Sequence, residues 1–221
     1  MRIKVCMSIA IACLAAASPV PAQYCELETL NFHSEGDGVS ADFSSVDTST
    51  CALGIETAVH VESSQGVITL ADTCGSGGGS TTTVTTTESN IVAVLVGVYD
   101  RCLAAQVLSV TGAGQAADLH MNPNFKTASL RAAFEGTDDS GQAVSIAIDL
   151  VWTGVGDKER QRDHVTDSQG GIVRFRYTSS GIMRDAVAAG SVTVNGTDET
   201  PLPSNQGTME KAASREFTQY R

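Results

Sequence analysis

Apolar residues recur along this chain in short runs and at alternate positions, and clusters of Gly, Asn, Asp and Ser separate the runs. Beyond the first twenty or so residues the three-and-four spacing of an amphipathic helix is nearly absent, so the pattern predicts an all-β protein. Strands are expected at Val39–Ser44, Cys51–Val61, Ile91–Cys102, Leu103–Val110, Ala128–Phe134, Ala143–Thr153, Gly171–Tyr177 and Ala186–Val194. In Cys51–Val61 the odd positions Cys51, Leu53, Ile55, Thr57, Val59 and Val61 form one face, with Glu56 and His60 on the other. One side is core and the other is wet. In Ala143–Thr153 the buried set is Val144, Ile146, Ile148, Leu150 and Trp152, opposite Ser145 and Asp149, which assigns the single tryptophan to the core. Ile91–Val98 is apolar at both parities, the pattern of a central strand covered on both faces.

The segments between these strands read as connections. Gly75–Thr87 (GSGGGSTTTVTTT) has the composition of a long flexible loop, and Asp157–Asp163 (DKERQRD) that of a solvated turn. Pro201 and Pro203 precede a polar stretch, so residues 204–221 are expected to be a loose C-terminal tail. A shift of 91 residues places Val39-Ser-Ala-Asp-Phe43 on Leu130-Arg-Ala-Ala-Phe134 and Ile55 on Ile146 without a gap, a weak internal repeat. It suggests two β-units, residues 39–114 and 128–196, each too small to bury its own apolar face. The expected architecture is therefore one antiparallel β-sandwich over residues 23–203, built from two duplicated units.

Charge and the N-terminus narrow the setting. Among 221 residues, 25 are acidic and 14 basic, a net charge of −11 that argues against nucleic acid as a partner. Arg2 and Lys4 precede an apolar stretch, Val5–Ala17, of 13 residues, short of the ~20 that span a bilayer. Small residues at Val20-Pro21-Ala22 complete a secretory signal over residues 1–22, with the mature chain starting at Gln23. A lipoprotein signal ending at Cys13 fits less well, because Ala10 stands at its −3 position and apolar sequence continues past the cysteine. The expectation is an exported protein, periplasmic or extracellular, with no membrane insertion after signal removal.

Cys6 and Cys13 leave with the signal, and Cys25, Cys51, Cys74 and Cys102 remain. An even set in an exported chain reads as two disulfides; without a CxxC pair or clustered histidines, no metal site is expected. If Cys51–Val61 and Ile91–Cys102 are antiparallel neighbours, the start of one lies beside the end of the other. Cys51 then pairs with Cys102, leaving Cys25 for Cys74.

Signals for chemistry are few. The GxSxG, HExxH, GxxxxGK[ST] and EF-hand patterns are missing, and His33, His60, His120 and His164 are not at ligand spacing. The best local constellation is Asp163, His164 and Asp167 beside Arg160 and Arg162, where an Asp-oriented imidazole is a general base. A hydrophilic turn is its commoner explanation. Arg174 and Arg176 alternate along one strand face and can clamp an anion, although such residues more often pair with surface acids. Asp138-Asp139-Ser140-Gly141 reads as a turn before a calcium loop, and Asn195-Gly196-Thr197 as a hairpin turn before a glycosylation sequon.

The segments FSSVDTSTCALGIETAVHVE, VGVYDRC, IAIDLVWTGVGD and RDAVAAGSVTV together resemble a group of bacterial exported β-rich proteins of no established activity, over Phe32 to Pro203. The resemblance implies an exported β-rich domain and nothing about chemistry. Taken together, the sequence favours a non-enzymatic, cofactor-free structural or ligand-binding module, with a small molecule, a glycan or an envelope protein as partner. Arg174, Arg176 and His164 are its candidate contacts, and a secreted hydrolase working from Asp163 and His164 is the alternative.

Overall fold

The computed structural model describes residues 25–76, 79–115, 117–169, 173–200 and 203–220; the signal at residues 1–22 and the start at Gln23 lie outside them. The first three strands, β1 (Leu27–Asp47), β2 (Ile55–Ser76) and β3 (Gly79–Asp100), form an antiparallel meander in unbroken register, from Leu27 opposite Gly75 to Ile55 opposite Asp100. A strand of 22 residues is about 70 Å long at ~3.3 Å per residue. Only part of that length is used to build a core. β4 (Ala105–Gln115) returns along the last ten residues of β3, then β5 (Asp118–Met121), β6 (Thr127–Asp138) and β7 (Ala143–Gly154) follow as further antiparallel strands.

The C-terminal third repeats the use of long strands. β8 (Glu159–Gln169) pairs with the first half of β9 (Val173–Val194), and β7 pairs with its second half on the same side. After the short β10 (Thr197–Asp198), β11 (Gln206–Tyr220) inserts between β9 and β1 and pairs with both along its length.

These pairings return on themselves. The ring β1, β2, β3, β4, β6, β7, β9, β11 and back to β1 is closed at one end of the molecule, with β4 and β6 joined through Val110–Asp138 and Thr111–Thr137. Away from that closed end the sheet continues as six strands in the order β3-β2-β1-β11-β9-β8, with β3 and β8 as free edges among the described residues. The all-β antiparallel class is as the sequence predicts. The two apolar faces that a sandwich packs together here belong to one sheet folded round on itself.

The core sits inside the closed end. Val39, Ala41 and Phe43 of β1, Val59 and Val61 of β2, Val92, Val94 and Val96 of β3, Leu130 of β6, Val144 to Trp152 at even positions of β7, and Met209 of β11 are buried together. Trp152 is fully buried and donates its indole N–H to the Ser40 carbonyl at 2.7 Å, so its polar atom is satisfied inside the core. Glycines let the β4–β6 seam close: a Cβ at Gly114 would lie 2.7 Å from the Phe134 ring. Cys25–Cys74 and Cys51–Cys102 are disulfides, with Cα separations of 5.3 and 6.4 Å, and each ties one end of the meander.

Several sequence expectations are corrected. Of the loop expected at 75–87, residues 75–76 end β2 and 79–87 begin β3, where β-branched residues suit a pleated surface; residues 77 and 78 lie outside the described residues. Residues 159–163 begin strand β8 rather than a turn, and the expected tail at 204–221 is not loose over 206–220, where β11 is bonded on both sides; residue 221 lies outside the described residues. Residues 173–177 of the strand expected at 171–177, and the strand expected at 186–194, are parts of one strand, β9; residues 171 and 172 lie outside the described residues. Cys51–Val61 becomes a strand only at Ile55: Leu53 is in the preceding turn, 62% exposed, and Gly54 has φ +84°. Leu103 is likewise in a turn, capped by the Asp100 carboxylate. Ile91–Val98 is covered on one face only, with Ile91 and Leu95 about half exposed. The hairpins β1–β2 and β6–β7 share their alternation but not their register. Val39 faces Ser63, so a shift of 91 would set Leu130 against Gly154, whereas Leu130 faces Leu150.

Gly190 makes the β7–β9 contact possible. Its φ is +136°, and a Cβ there would collide with the Asp149 carbonyl oxygen. Gly190→Ala should cost about 2–3 kcal/mol of stability, read as a lower urea midpoint at unchanged slope. A loss below about 0.5 kcal/mol, within the usual scatter of surface changes, would show that the strand shifts freely at this point.

Candidate functional site

Opposite residues of an antiparallel pair project from the same face, so the register assigns every side chain of the six-stranded extension to one of two surfaces. The face continuous with the core carries, on β8, Arg160, Arg162, His164, Thr166 and Ser168, which lie opposite Ile182, Ser180, Thr178, Arg176 and Arg174 of β9. β9 in turn sets Ile182 against Lys211, Thr178 against Arg215, Arg176 against Phe217 and Arg174 against Gln219 of β11. Three strands thus bring five arginines and a lysine onto one surface. Same-face neighbours are about 7 Å apart along a strand and adjacent strands about 4.8 Å apart.

The acids of these strands are on the other surface. Glu159, Asp163 and Asp167 of β8 lie opposite Met183, Ser179 and Phe175, and Glu210 and Glu216 of β11 lie opposite Met183 and Tyr177. The alternation of charge sign along Glu159-Arg160-Gln161-Arg162-Asp163-His164 is therefore a sorting of charge between faces. Acids on the cationic face occur only toward β1 and β3: Asp37 opposite Lys211, Glu35 opposite Ala213, and Glu88 opposite Val67. Lys211 has Asp37 at 3.5 Å. Arg160, Arg162, Arg174, Arg176 and Arg215 are exposed, and among the described residues none is in an ion pair with a carboxylate. Pairing with surface acids, the commoner role for Arg174 and Arg176, is not what the structure shows.

His164 joins that face, opposite Thr178, with its Nε2 3.0 Å from the Thr166 hydroxyl. Asp163 is directed the other way, accepting from Ser179 Oγ at 3.4 Å and Gln161 Nε2 at 3.3 Å. Neighbours on a strand point to opposite faces, and Asp167 shares the parity of Asp163. The carboxylate-oriented imidazole expected from Asp163, His164 and Asp167 is not assembled. Elsewhere His60, with Nδ1 2.7 Å from Asp42 Oδ1 and Nε2 3.9 Å from Glu62 Oε2, does sit between carboxylates, on the outer side of the closed end. The nearby Ser44 hydroxyl is engaged by Asn205 Oδ1 at 3.0 Å. His120 is exposed on β5, and His33 donates from Nδ1 to the Ser214 carbonyl at 3.1 Å, with its Nε2 3.8 Å from Glu35 Oε2.

The other candidates are structural. Asp138 Oδ1 accepts from Ser140 N–H and O–H and from Gln142 N–H at 2.7–2.9 Å, and these bonds hold its carboxyl below the usual range. The DDSG segment is a turn closed by its own aspartate. Asn195 and Gly196, with φ +49° and +83°, form the β9–β10 hairpin turn. Among the described residues, one group of three metal-ligating side chains comes together, Cys51, Asp100 and Cys102, and both sulfurs are in the disulfide. An open recess of about 480 Å³ lies at the β3–β4–β6 seam, lined by Val94, Thr111, Glu135 and Thr137 among others. It has no cationic lining.

Of the sequence candidates, Arg174, Arg176 and His164 are brought together. Lys211 and Arg215 were hidden in the expected tail, and Arg160 and Arg162 in the expected turn; the signal that finds them is charge alternation with a period of two. No protein family, curated protein or solved structure matches this chain.

On the acidic surface, burial raises the carboxyl pKa of Glu210, which lies against Gly38. A raised acid pKa favours folding below the unfolded value and loses that contribution as pH rises through the folded value. Glu210→Gln should therefore raise the melting temperature at pH 7 and give no gain near pH 4. An equal gain at both pH values would assign the effect to packing.

Proposed function

We propose that the protein is an exported, non-enzymatic module of the cell envelope or extracellular space that binds an anionic ligand on the β8–β9–β11 surface. The observation that carries this reading is the set of five exposed arginines sharing one face without carboxylate partners among the described residues, in a chain whose net charge is −11. Arginine guanidinium groups donate paired hydrogen bonds to carboxylate, sulfate or phosphate oxygens, and a row of them at strand spacing suits repeated anionic groups. The two disulfides and the resemblance to exported bacterial β-rich proteins support the compartment. A carboxylated glycan is the ligand class that fits best: its charges are spaced along a chain, and they are sparser than those of nucleic acid, which the surrounding acidic surface repels.

The hydrolase alternative loses its support at the strand level, because Asp163 and His164 project from opposite faces. The binding reading is tested by calorimetric titration with polygalacturonate at low and high salt. Arg174→Ser combined with Arg176→Ser should weaken binding about tenfold, equivalent to about 1.4 kcal/mol, and added salt should weaken the parent protein more than the variant. His164→Ala should change affinity by no more than about twofold, as expected of an exposed group at the rim of a charged site. Unaltered binding in the double arginine variant would remove this surface from the function.

A further inference from the structure

Between Gly79 and Asn90, beyond the closed end, β3 pairs with β2 on one side and, among the described residues, has no strand on the other. Every residue from Gly79 to Ser89 is exposed. Such an edge offers unpaired backbone donors and acceptors to another strand, and proteins ordinarily guard it with charge, proline or a bulge. The other free edge of the same sheet, β8, is guarded by Glu159, Arg160, Arg162, Asp163 and Asp167. The β3 edge is not guarded: no charged residue or proline occurs from Gly79 to Thr87, and its register against β2 has no bulge there.

The sequence of this edge is also symmetric. Thr81-Thr82-Thr83-Val84-Thr85-Thr86-Thr87 reads the same in both directions about Val84. We propose that the β3 edge pairs with the β3 edge of a second copy, antiparallel, about a two-fold axis passing through Val84. In that register Val84 lies opposite the partner's Val84, Thr83 opposite the partner's Thr85, Thr82 opposite the partner's Thr86 and Thr81 opposite the partner's Thr87. Every central cross-strand pair is then Thr–Thr or Val–Val, and these pairs favour a sheet. A two-fold interface uses the same patch twice and so requires self-complementarity, which a palindromic strand supplies. Val84, 60% exposed in the single chain, becomes the centre of the joined sheet. Opposite residues share a face, so both cationic surfaces lie on the same side of the combined twelve-stranded extension.

Sedimentation velocity of the full chain with its disulfides oxidised should show a concentration-dependent species of twice the monomer mass. Val84→Lys, which sets two ammonium groups against each other on the axis, should leave only monomer with an unchanged circular dichroism spectrum. Val84→Cys should form a covalent dimer on mild oxidation, because the residue meets itself across the axis. Thr81→Cys should not, because it meets the partner's Thr87. A protein that stays monomeric at high micromolar concentration overturns the proposal. A dimer that survives Val84→Lys, or that cross-links as readily through Thr81→Cys as through Val84→Cys, overturns it as well.

Discussion

The backbone hydrogen bonds that β11 makes on both of its sides hold the two halves of this protein together. β1 to β4 and β6 to β9 are otherwise joined along the sheet by the two residue pairs of the β4–β6 seam. With β11 in place, β1 and β9 become second neighbours, the ring closes, and Met209 enters the core beside Ala186 and Val39. Sheet closure removes edges where the core is, and each backbone group there finds a partner. The cationic surface depends on the same strand, which supplies Lys211 and Arg215 and fixes the register that sets them beside Arg174 and Arg176.

Beyond the closed end, the same strands run on without a second layer to pack against. Charge and hydroxyl groups take over from apolar side chains at the positions continuous with the core. Along β9, buried Ala186 and Ala188 give way to Thr178, Arg176 and Arg174 at the same parity. Along β1, Val39 and Ala41 give way to Asp37, Glu35 and His33. One alternation therefore serves two ends: inward positions that are apolar make a core, and inward positions that are charged make a surface. Core and exposed charged surface divide the length of each strand between them.

That division explains what was legible in the sequence. Val59, Val61 and the Val144–Trp152 series announced their strands because burial demands an apolar residue at every second position. The disulfide pairing followed from the ends of neighbouring strands. Residues 79–90, 159–169 and 210–220 gave no such signal, because neither of their faces packs against the core that Met209 enters, and their periodicity is carried by charge sign or by threonine. Glycine, serine and charged residues in these stretches imitate loop composition. Arg174 and Arg176 were found as a pair on one face; their companions required the long-range register of β8 and β11, which local pattern does not contain.

The covalent ties of the molecule are unevenly placed. Cys25–Cys74 and Cys51–Cys102 overlap in sequence and staple the β1–β3 meander at its two ends, while no disulfide reaches β6 to β11. Tension drawn through the C-terminus would therefore meet a graded resistance. β11 would be pulled from its slot first, β9 and β8 would lose their neighbour, and the arginine surface would come apart while the stapled meander stayed short. With both disulfides formed, the segment from Cys25 to Cys102 behaves as a fixed anchor, and β6 to β11 as an extensible segment whose arginine surface survives only while the load is low.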